Sequence, residues 1–344
     1  MVITKTPFRM SFFGGGTDME DFFSEYGGSV LSATFDKYCY INVRHLPRFF
    51  DYSSELVYSK IERITDVEYI AHPAIREAMK MLEMHEIRLT YEADLPARSG
   101  LGTSSSFAVG MLNAFHCLKG TYADKKRLAD EAIYLERCLC HEAGGWQDQV
   151  AASFGGMNRI DFHAKGYEVH PVIISLERKK QLKDRLLLFF TGFTRLSSDI
   201  QKENEAGRKN KRNQLLEMLQ MVTEAERVLT NKSMDLDEFG RLLDHTWKLK
   251  RQMGNRVSTE SIDMLYEKGC RAGALGGKLL GAGGGGFLIF YVPEEKKDSV
   301  MEAMEQLLHI PFEFEENGTS VIHYTPESYE LSQARRLEKN CRGE

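Results

Sequence analysis

Two kinds of residue in this chain are spaced for phosphate chemistry: glycines that run directly into hydroxyls, and carboxylates isolated among small or amide residues. In RSGLGTSSSFAVGMLNAF, Arg98 to Phe115, Gly100 and Gly102 precede Thr103, Ser104, Ser105 and Ser106, and an apolar helix is predicted from about Ser104 to Leu118. The first turn of a helix leaves backbone N–H groups unpartnered at the positive end of the macrodipole. Glycines let the main chain curl closely around an anion placed there. Hydroxyls add hydrogen bonds to phosphate oxygens, and one of them can reach a magnesium ion, which prefers hard oxygen ligands. Helix capping would account for one serine but not for two glycines and four hydroxyls.

Three further clusters carry candidate chemistry. RMSFFGGGTD sets Gly14, Gly15 and Gly16 beside Thr17 and Asp18, a pattern that a tight turn would also explain. AGGWQDQVAASFGG places Asp148 between Gln147 and Gln149, where a helix-capping Asp is the plain alternative. GAGGGG, Gly281 to Gly286, satisfies a dinucleotide-binding string, but here a helix is expected before it and a strand after, the reverse of what that fingerprint needs. GGKLL at Gly276 lacks both the Ser or Thr and the upstream Gly of a Walker loop.

The elements that must hold these clusters are legible from periodicity. KYCYINVRHL alternates around Tyr38 to Val43, as does IRLTYEADLP from Ile87 to Leu95, and both read as strands. A second helix is predicted from about Asp124 to Glu142, running into GGWQDQ. His163 to Lys180 reads as an interdomain region, and Leu186 to Gly192 as a buried strand. Helices are then predicted over Gln214–Leu229, Leu236–Met253 and Glu260–Ala272, a strand over Phe287–Val292, a helix near Lys296–Leu308 and short strands around Asn317 and Gly318. Strands alternating with helices in both halves of a 344-residue chain predict two α+β or α/β domains.

Composition excludes several function classes. The chain is 42% hydrophobic and 28% charged with only 8 Pro, an ordinary globular mix. Its formal net charge of −5 gives no global attraction to nucleic acid or an anionic membrane, so an anionic ligand must be held locally. RKNKRN, from Arg208, is a basic block without aromatic residues and reads as a solvated loop. The N-terminus lacks the apolar stretch of a signal peptide, and a cytoplasmic location is expected. Six cysteines show no CxxC pair, and CLCH, Cys138 to His141, has no second ligand cluster, so thiols rather than a metal site are expected.

PFRMSFFGGGTD, LPARSGLGTSSSFAVG and KLLGAGGGGF, in this order, resemble the three signature motifs of the GHMP kinases, named for galacto-, homoserine, mevalonate and phosphomevalonate kinases. The second motif resembles the family form PxxxGLGSSA, with Thr103 for its first Ser and Ser105 for its Ala. Within the family, GGGTD, GWQDQ and LLLFFTGFTR most resemble the heptose 7-phosphate kinases, and the loss of the Glu and His of GEHTD puts a galactose substrate in doubt.

The resemblance implies an N-terminal domain like domain 2 of ribosomal protein S5 over 1–175 and a ferredoxin-like C-terminal domain over 176–344. ATP and a magnesium ion would bind in the cleft between them. It further implies that Arg98 and Gly100, Leu101, Gly102, Thr103, Ser104, Ser105 and Ser106 wrap the ATP phosphates. Ser104 and Glu136 would be magnesium ligands, although the spacing from Glu136 to Asp148 is one residue longer than the family's, leaving Glu142 as a second candidate. Asp148 would be the catalytic carboxylate, with Arg9 as its basic partner. Gly15, Gly16, Thr17, Asp18, Gln147, Gly283 and Gly284 would contact the acceptor. The implied reaction is phosphorylation of the anomeric hydroxyl of D-glycero-D-manno-heptose 7-phosphate to the 1,7-bisphosphate, on the way to GDP-heptose and surface glycans. The implied partners are a sugar phosphate and ATP. Lys37, Arg44, His45, Arg48, Arg98 and Arg195 are candidates for holding the 7-phosphate. An unphosphorylated sugar such as fucose or an N-acetylhexosamine is the alternative acceptor, and a non-catalytic sugar and ATP sensor is a second alternative.

Overall fold

The computed structural model describes residues 1–47, 49–97, 99–192, 211–254, 257–281 and 283–326. Expectations placed on Arg48, Arg98, Arg195, Cys341 and the start of the basic block at Arg208 lie outside these residues. Among the described residues no helix is long and apolar enough to cross a membrane.

The first sheet has eight strands. Its main path runs β12-β1-β2-β5-β3-β4, with β1 Val2–Phe13, β2 Gly28–His45, β3 Ser54–Val57, β4 Ile61–Ile64, β5 Ile87–Ala93 and β12 Ser320–Tyr324. β6 Met157–His163 joins the N-terminal half of β2 and carries β7 Gly166–Pro171 outside it. β2 is long enough to serve two partners, pairing β6 through Gly28 to Ala33 and β5 through Cys39 to His45. One face is covered by α2 Pro73–Met81, α3 Thr103–Leu118, α4 Lys125–Ile133 and α5 Gln147–Phe154. Ile41, Val43 and Leu56 of the sheet meet Ala108, Met111, Leu112 and Phe115 of α3 in a closed core.

The second sheet, in order β11-β8-β10-β9, is built from β8 Leu186–Gly192, β9 Gly276–Leu279, β10 Gly286–Tyr291 and β11 Leu308–His309. All of its pairings are antiparallel. Between β8 and β9 lie α7 Arg212–Thr230, α8 Asp237–Gln252 and α9 Glu260–Ala272, and between β10 and β11 lies α10 Lys297–Ala303. The resulting succession of strand, helices, two strands, helix and strand is the ferredoxin-like split β-α-β arrangement. Phe8, Met10 and Phe12 of β1 share one core with Met218 and Val222 of α7, Phe239 and Leu243 of α8, and Phe287 and Ile289 of β10. That shared apolar core joins the two halves, and its continuity keeps the cleft walls in register.

Several sequence expectations change here. The predicted linker from His163 to Lys180 contains β7 and the start of α6 Leu176–Asp184, because Tyr167 and Val169 pack beside Ile160 and Phe162. The helix predicted over Asp124–Glu142 is α-helical only to Ile133 and then forms a π-helical turn, Tyr134–Leu139. The GAGGGG loop lies in a β9–β10 hairpin, so a strand rather than a helix immediately precedes it. The last strand, β12, returns to the first sheet, with Val2 opposite Tyr324 and Lys5 opposite Ser320. One strand of that sheet therefore comes from beyond residue 176.

Candidate active site

β1 carries the first functional side chain. Strand periodicity sends Phe8, Met10 and Phe12 into the shared core and Arg9 and Ser11 to the opposite face, toward the N-terminal ends of α3 and α5. Arg9 is buried and makes four bonds there. Its backbone N–H donates to the Leu101 carbonyl at 3.1 Å. Its Nη1 donates to the Gly100 carbonyl at 2.8 Å, while Nε and Nη2 donate to Asp148 Oδ1 and Oδ2 at 2.6 and 2.7 Å. One residue thus ties the first motif to the second and to the carboxylate of α5 in a two-pronged, charge-assisted pair. The Asp148 side chain is 25% exposed against 5% for Arg9, so the carboxylate keeps an open side toward the cleft.

Gly102 caps α3 in the left-handed conformation, with Thr103 as the first helical residue. Gly100, at φ +83°, touches Gly281, at φ +80°, so the second and third glycine loops meet backbone to backbone. A Cβ on Gly100 would collide with the Leu280 carbonyl, which explains a glycine there on steric grounds alone. Of the four hydroxyl residues Thr103, Ser104, Ser105 and Ser106, only Ser104 is exposed. Ser106 donates to the Pro7 carbonyl at 2.8 Å and fastens α3 to β1, while Thr103 and Leu101 are buried.

Glu136 sits in the π-helical turn and is 1% exposed. Its Oε1 accepts from Ser104 Oγ at 2.9 Å and its Oε2 from Ser105 Oγ at 2.7 Å, with Gln149 Nε2 as a further donor. Glu142 is exposed, and its backbone carbonyl accepts from Arg137 Nη1. The structure therefore brings Glu136, not Glu142, to Ser104. The π-turn also accounts for the long spacing: the Cys140 N–H reaches back five residues to the Leu135 carbonyl, which accommodates one extra residue without moving Glu136 off its face. No group of three or more His, Cys, Asp or Glu capable of holding a metal occurs among the described residues. One carboxylate and one hydroxyl beside a phosphate loop nevertheless fit magnesium, which takes its remaining ligands from nucleotide phosphates and water.

The Gly14–Gly16 loop forms the other wall. Asp18 is buried, with Oδ1 accepting from the Gly16 N–H at 2.9 Å and Oδ2 from the Gln147 N–H at 3.3 Å. Its carboxyl is pushed above the usual range, chiefly by burial and further by the charge of Asp148, although its backbone donors oppose the shift. Gly145 lies against this carboxylate with no room for a Cβ. Gly15 lies between Ser11 Oγ and Gln147 Nε2. Ser11 Oγ, which can donate or accept, and Gln147 Oε1, which can only accept, are buried without a hydrogen-bond partner among the described residues. Thr17 differs from its expected contact role: it is wholly buried, its hydroxyl 2.8 Å from the Gly14 and Ser29 carbonyls, and it holds the loop rather than lining the cleft. Gly284 donates to the Val257 carbonyl at 3.3 Å and Gly283 packs on the same residue, so this part of the third loop is anchored to the segment before α9.

Three of the six candidates for holding the 7-phosphate, Lys37, Arg44 and His45, lie among the described residues. Lys37 pairs with Asp36 at 3.0 Å, and Arg44 and His45 lie on β2 at its pairing with β5. Two cations that motif reading passed over stand within reach of the Arg9 charge. Lys278 on β9 is 2% exposed and donates to the Phe12 carbonyl at 3.0 Å. Lys250 on α8 donates to the carbonyls of Leu279 and Gly281. The mismatch of GGKLL to a Walker loop concealed Lys278, although a lysine between buried glycines and leucines was itself a signal.

Comparison with known proteins identifies the family. Residues 68–156 match the model of the GHMP kinases N terminal domain and residues 224–310 that of the GHMP kinases C terminal. The chain is 30% identical over 320 residues to the D-glycero-alpha-D-manno-heptose 7-phosphate kinase of Campylobacter jejuni, a match covering 88% of this chain and 93% of that one. It is 31% identical over 209 residues to the L-fucokinase/L-fucose-1-P guanylyltransferase of Bacteroides fragilis, covering 59% of this chain and 22% of that protein. Among solved structures, a D-glycero-D-manno-heptose 1-phosphate kinase from Bacteriodes thetaiotaomicron superposes with a TM-score of 0.76 at 23% identity, over 94% of this chain and all of the other, which concerns the fold. With matches in both halves and a relative aligned along nearly its full length, the chain belongs to the GHMP kinases and is an ATP-dependent sugar kinase that uses magnesium.

Proposed function

We propose that the protein phosphorylates the anomeric hydroxyl of D-glycero-D-manno-heptose 7-phosphate, giving the 1,7-bisphosphate for GDP-heptose and surface glycan synthesis. The observation that carries the reading is the match to the Campylobacter enzyme across 93% of that enzyme's length. The fucokinase match covers only a fifth of its relative, and it favours the second reading, an anomeric kinase for an unphosphorylated sugar.

In this reading residues 1–175 supply the phosphate loop and catalytic carboxylate, and 176–344 supply the third loop. Phosphoryl transfer asks the protein mainly for alignment and charge stabilisation. Asp148 orients the acceptor hydroxyl and takes its proton on the carboxylate lone pairs that Arg9 leaves free. Arg9 fixes the carboxylate rotamer and, through the Gly100 carbonyl, its height above the phosphate loop. Asp18, Ser11 and Gln147 hold sugar hydroxyls, their buried polar atoms gaining partners on binding. Ser104 and Glu136 would hold magnesium, which when bound offsets phosphate charge.

The test is ATP-dependent turnover followed by phosphorus NMR, with heptose 7-phosphate beside free heptose, fucose and N-acetylhexosamines. A new anomeric phosphate on the 7-phosphate alone is expected. Turnover only on a free sugar would refute the heptose 7-phosphate assignment and support the second reading.

A further inference from the structure

The buried charges of the cleft are not all paired by direct contact. Arg9 is matched by Asp148, whereas Lys250 and Lys278 have only carbonyl partners and no carboxylate within ion-pair distance among the described residues. Burying an ammonium without a contacting counter-charge is costly, and the cost is relieved either by loss of its proton or by a ligand that brings negative charge. Burial first, and then Lys250 and Arg9, push the Lys278 amine well below its ordinary range. Lys250 is lowered to about 8 by burial and Arg9, with Asp18 acting in the opposite sense.

Their attachments define a place. Lys250 bonds the Gly281 carbonyl, Gly281 touches Gly100, and the Gly100 carbonyl accepts from Arg9. Lys250 and Arg9 therefore flank the junction of the second and third glycine loops. Lys278 bonds the Phe12 carbonyl, two residues before Gly14, and so reaches the start of the acceptor loop. We propose that Lys250 and Lys278 form a paired-ammonium seat for a phosphoryl group, at the inner wall between the third glycine loop and the Gly14–Gly16 loop. The ligand chemistry is a phosphate dianion, from one of two sources: the γ-phosphoryl in transit, or the phosphate already on the acceptor. The seat rests on the kinase reading for its occupant. Each lysine has N–H donors beyond those its carbonyl partners use, and an arriving dianion both accepts from them and places negative charge in direct contact with them.

The test uses the full chain with Lys250→Met and Lys278→Met, which keep side-chain length and remove the charge. Calorimetric binding is measured for AMP-PNP and ADP with magnesium, and for heptose 7-phosphate and free heptose, with thermal melting of each variant. Both variants are expected to melt no lower than the parent. Each is expected to bind one phosphate-bearing ligand roughly tenfold to hundredfold more weakly, the value of a charge-assisted hydrogen bond, with its counterpart lacking that phosphate unaffected. Loss for AMP-PNP but not ADP assigns the seat to the γ-phosphoryl; loss for heptose 7-phosphate but not free heptose assigns it to the acceptor. Binding of all four ligands within threefold of the parent overturns the proposal, as does a lower melting temperature with all ligands weakened alike. If the parent binds AMP-PNP but neither sugar, the heptose reading fails, and the AMP-PNP and ADP pair still decides the seat.

Discussion

Asp148→Asn separates a catalytic carboxylate from one that merely neutralises Arg9. Asn keeps one acceptor for the guanidinium but turns an amide N–H toward the other prong, so one of two charge-assisted bonds, at 2.6 and 2.7 Å, is lost along with the counter-charge. Removing one partner of a buried ion pair costs about 3–5 kcal/mol. Here the side chain of Asp148 is a quarter exposed and Arg9 retains the Gly100 carbonyl, so a loss of about 1–3 kcal/mol is expected. The kinetic effect is separate. A positioned base contributes roughly 10²–10⁴ in rate, or about 3–5 kcal/mol of barrier, so kcat should fall by that factor with AMP-PNP affinity nearly unchanged. Urea unfolding and coupled ADP release measure the two quantities. The double variant Arg9→Met/Asp148→Asn removes both charges, and its stability should recover toward the parent while turnover stays low. Turnover that recovers with stability, or an Asp148→Asn enzyme within tenfold of the parent, would refute the catalytic role.

Glu136→Gln should raise the magnesium concentration for half-maximal turnover by about tenfold or more, comparable to losing a metal-site partner, whereas Glu142→Gln should leave the titration in place. Equal shifts in both variants would return the ligand assignment to open competition. With Lys250 lowered to about 8, kcat/KM for the phosphate ligand it holds should decline as pH rises through about 8, when the ammonium is lost. The lowered value also means that between about 8 and the ordinary lysine range the unfolded chain binds more protons than the folded one, so the Lys250 contribution to stability rises with pH across that window. Lys250→Arg should move the alkaline limb of the rate profile out of range, because guanidinium does not deprotonate there. A limb that stays at about pH 8 in Lys250→Arg would assign it to another group.

Local physics made much of this protein readable from its residues. The helix opening at Thr103, the glycine loops before and after it, the strand Leu186–Gly192 and the helix Glu260–Ala272 each announce themselves through periodicity, capping and positive-φ demand within one short segment. The three ordered motifs carried the family because each packs its function into about a dozen consecutive residues. Pairings and burials set by distant residues were not readable. The return of β12 to Val2 spans the whole chain, the π-turn depends on how Glu136 is drawn to α3, and the strand before GAGGGG exists because β10 lies beside it. Residue types and order determined that a phosphate would be bound and which carboxylates could act. Only the tertiary structure brought Glu136 rather than Glu142 to Ser104, joined Arg9 to Asp148, and left Lys250 and Lys278 with no carboxylate in direct contact among the described residues, because desolvation and pairing depend on what folds against a residue rather than on its sequence neighbours.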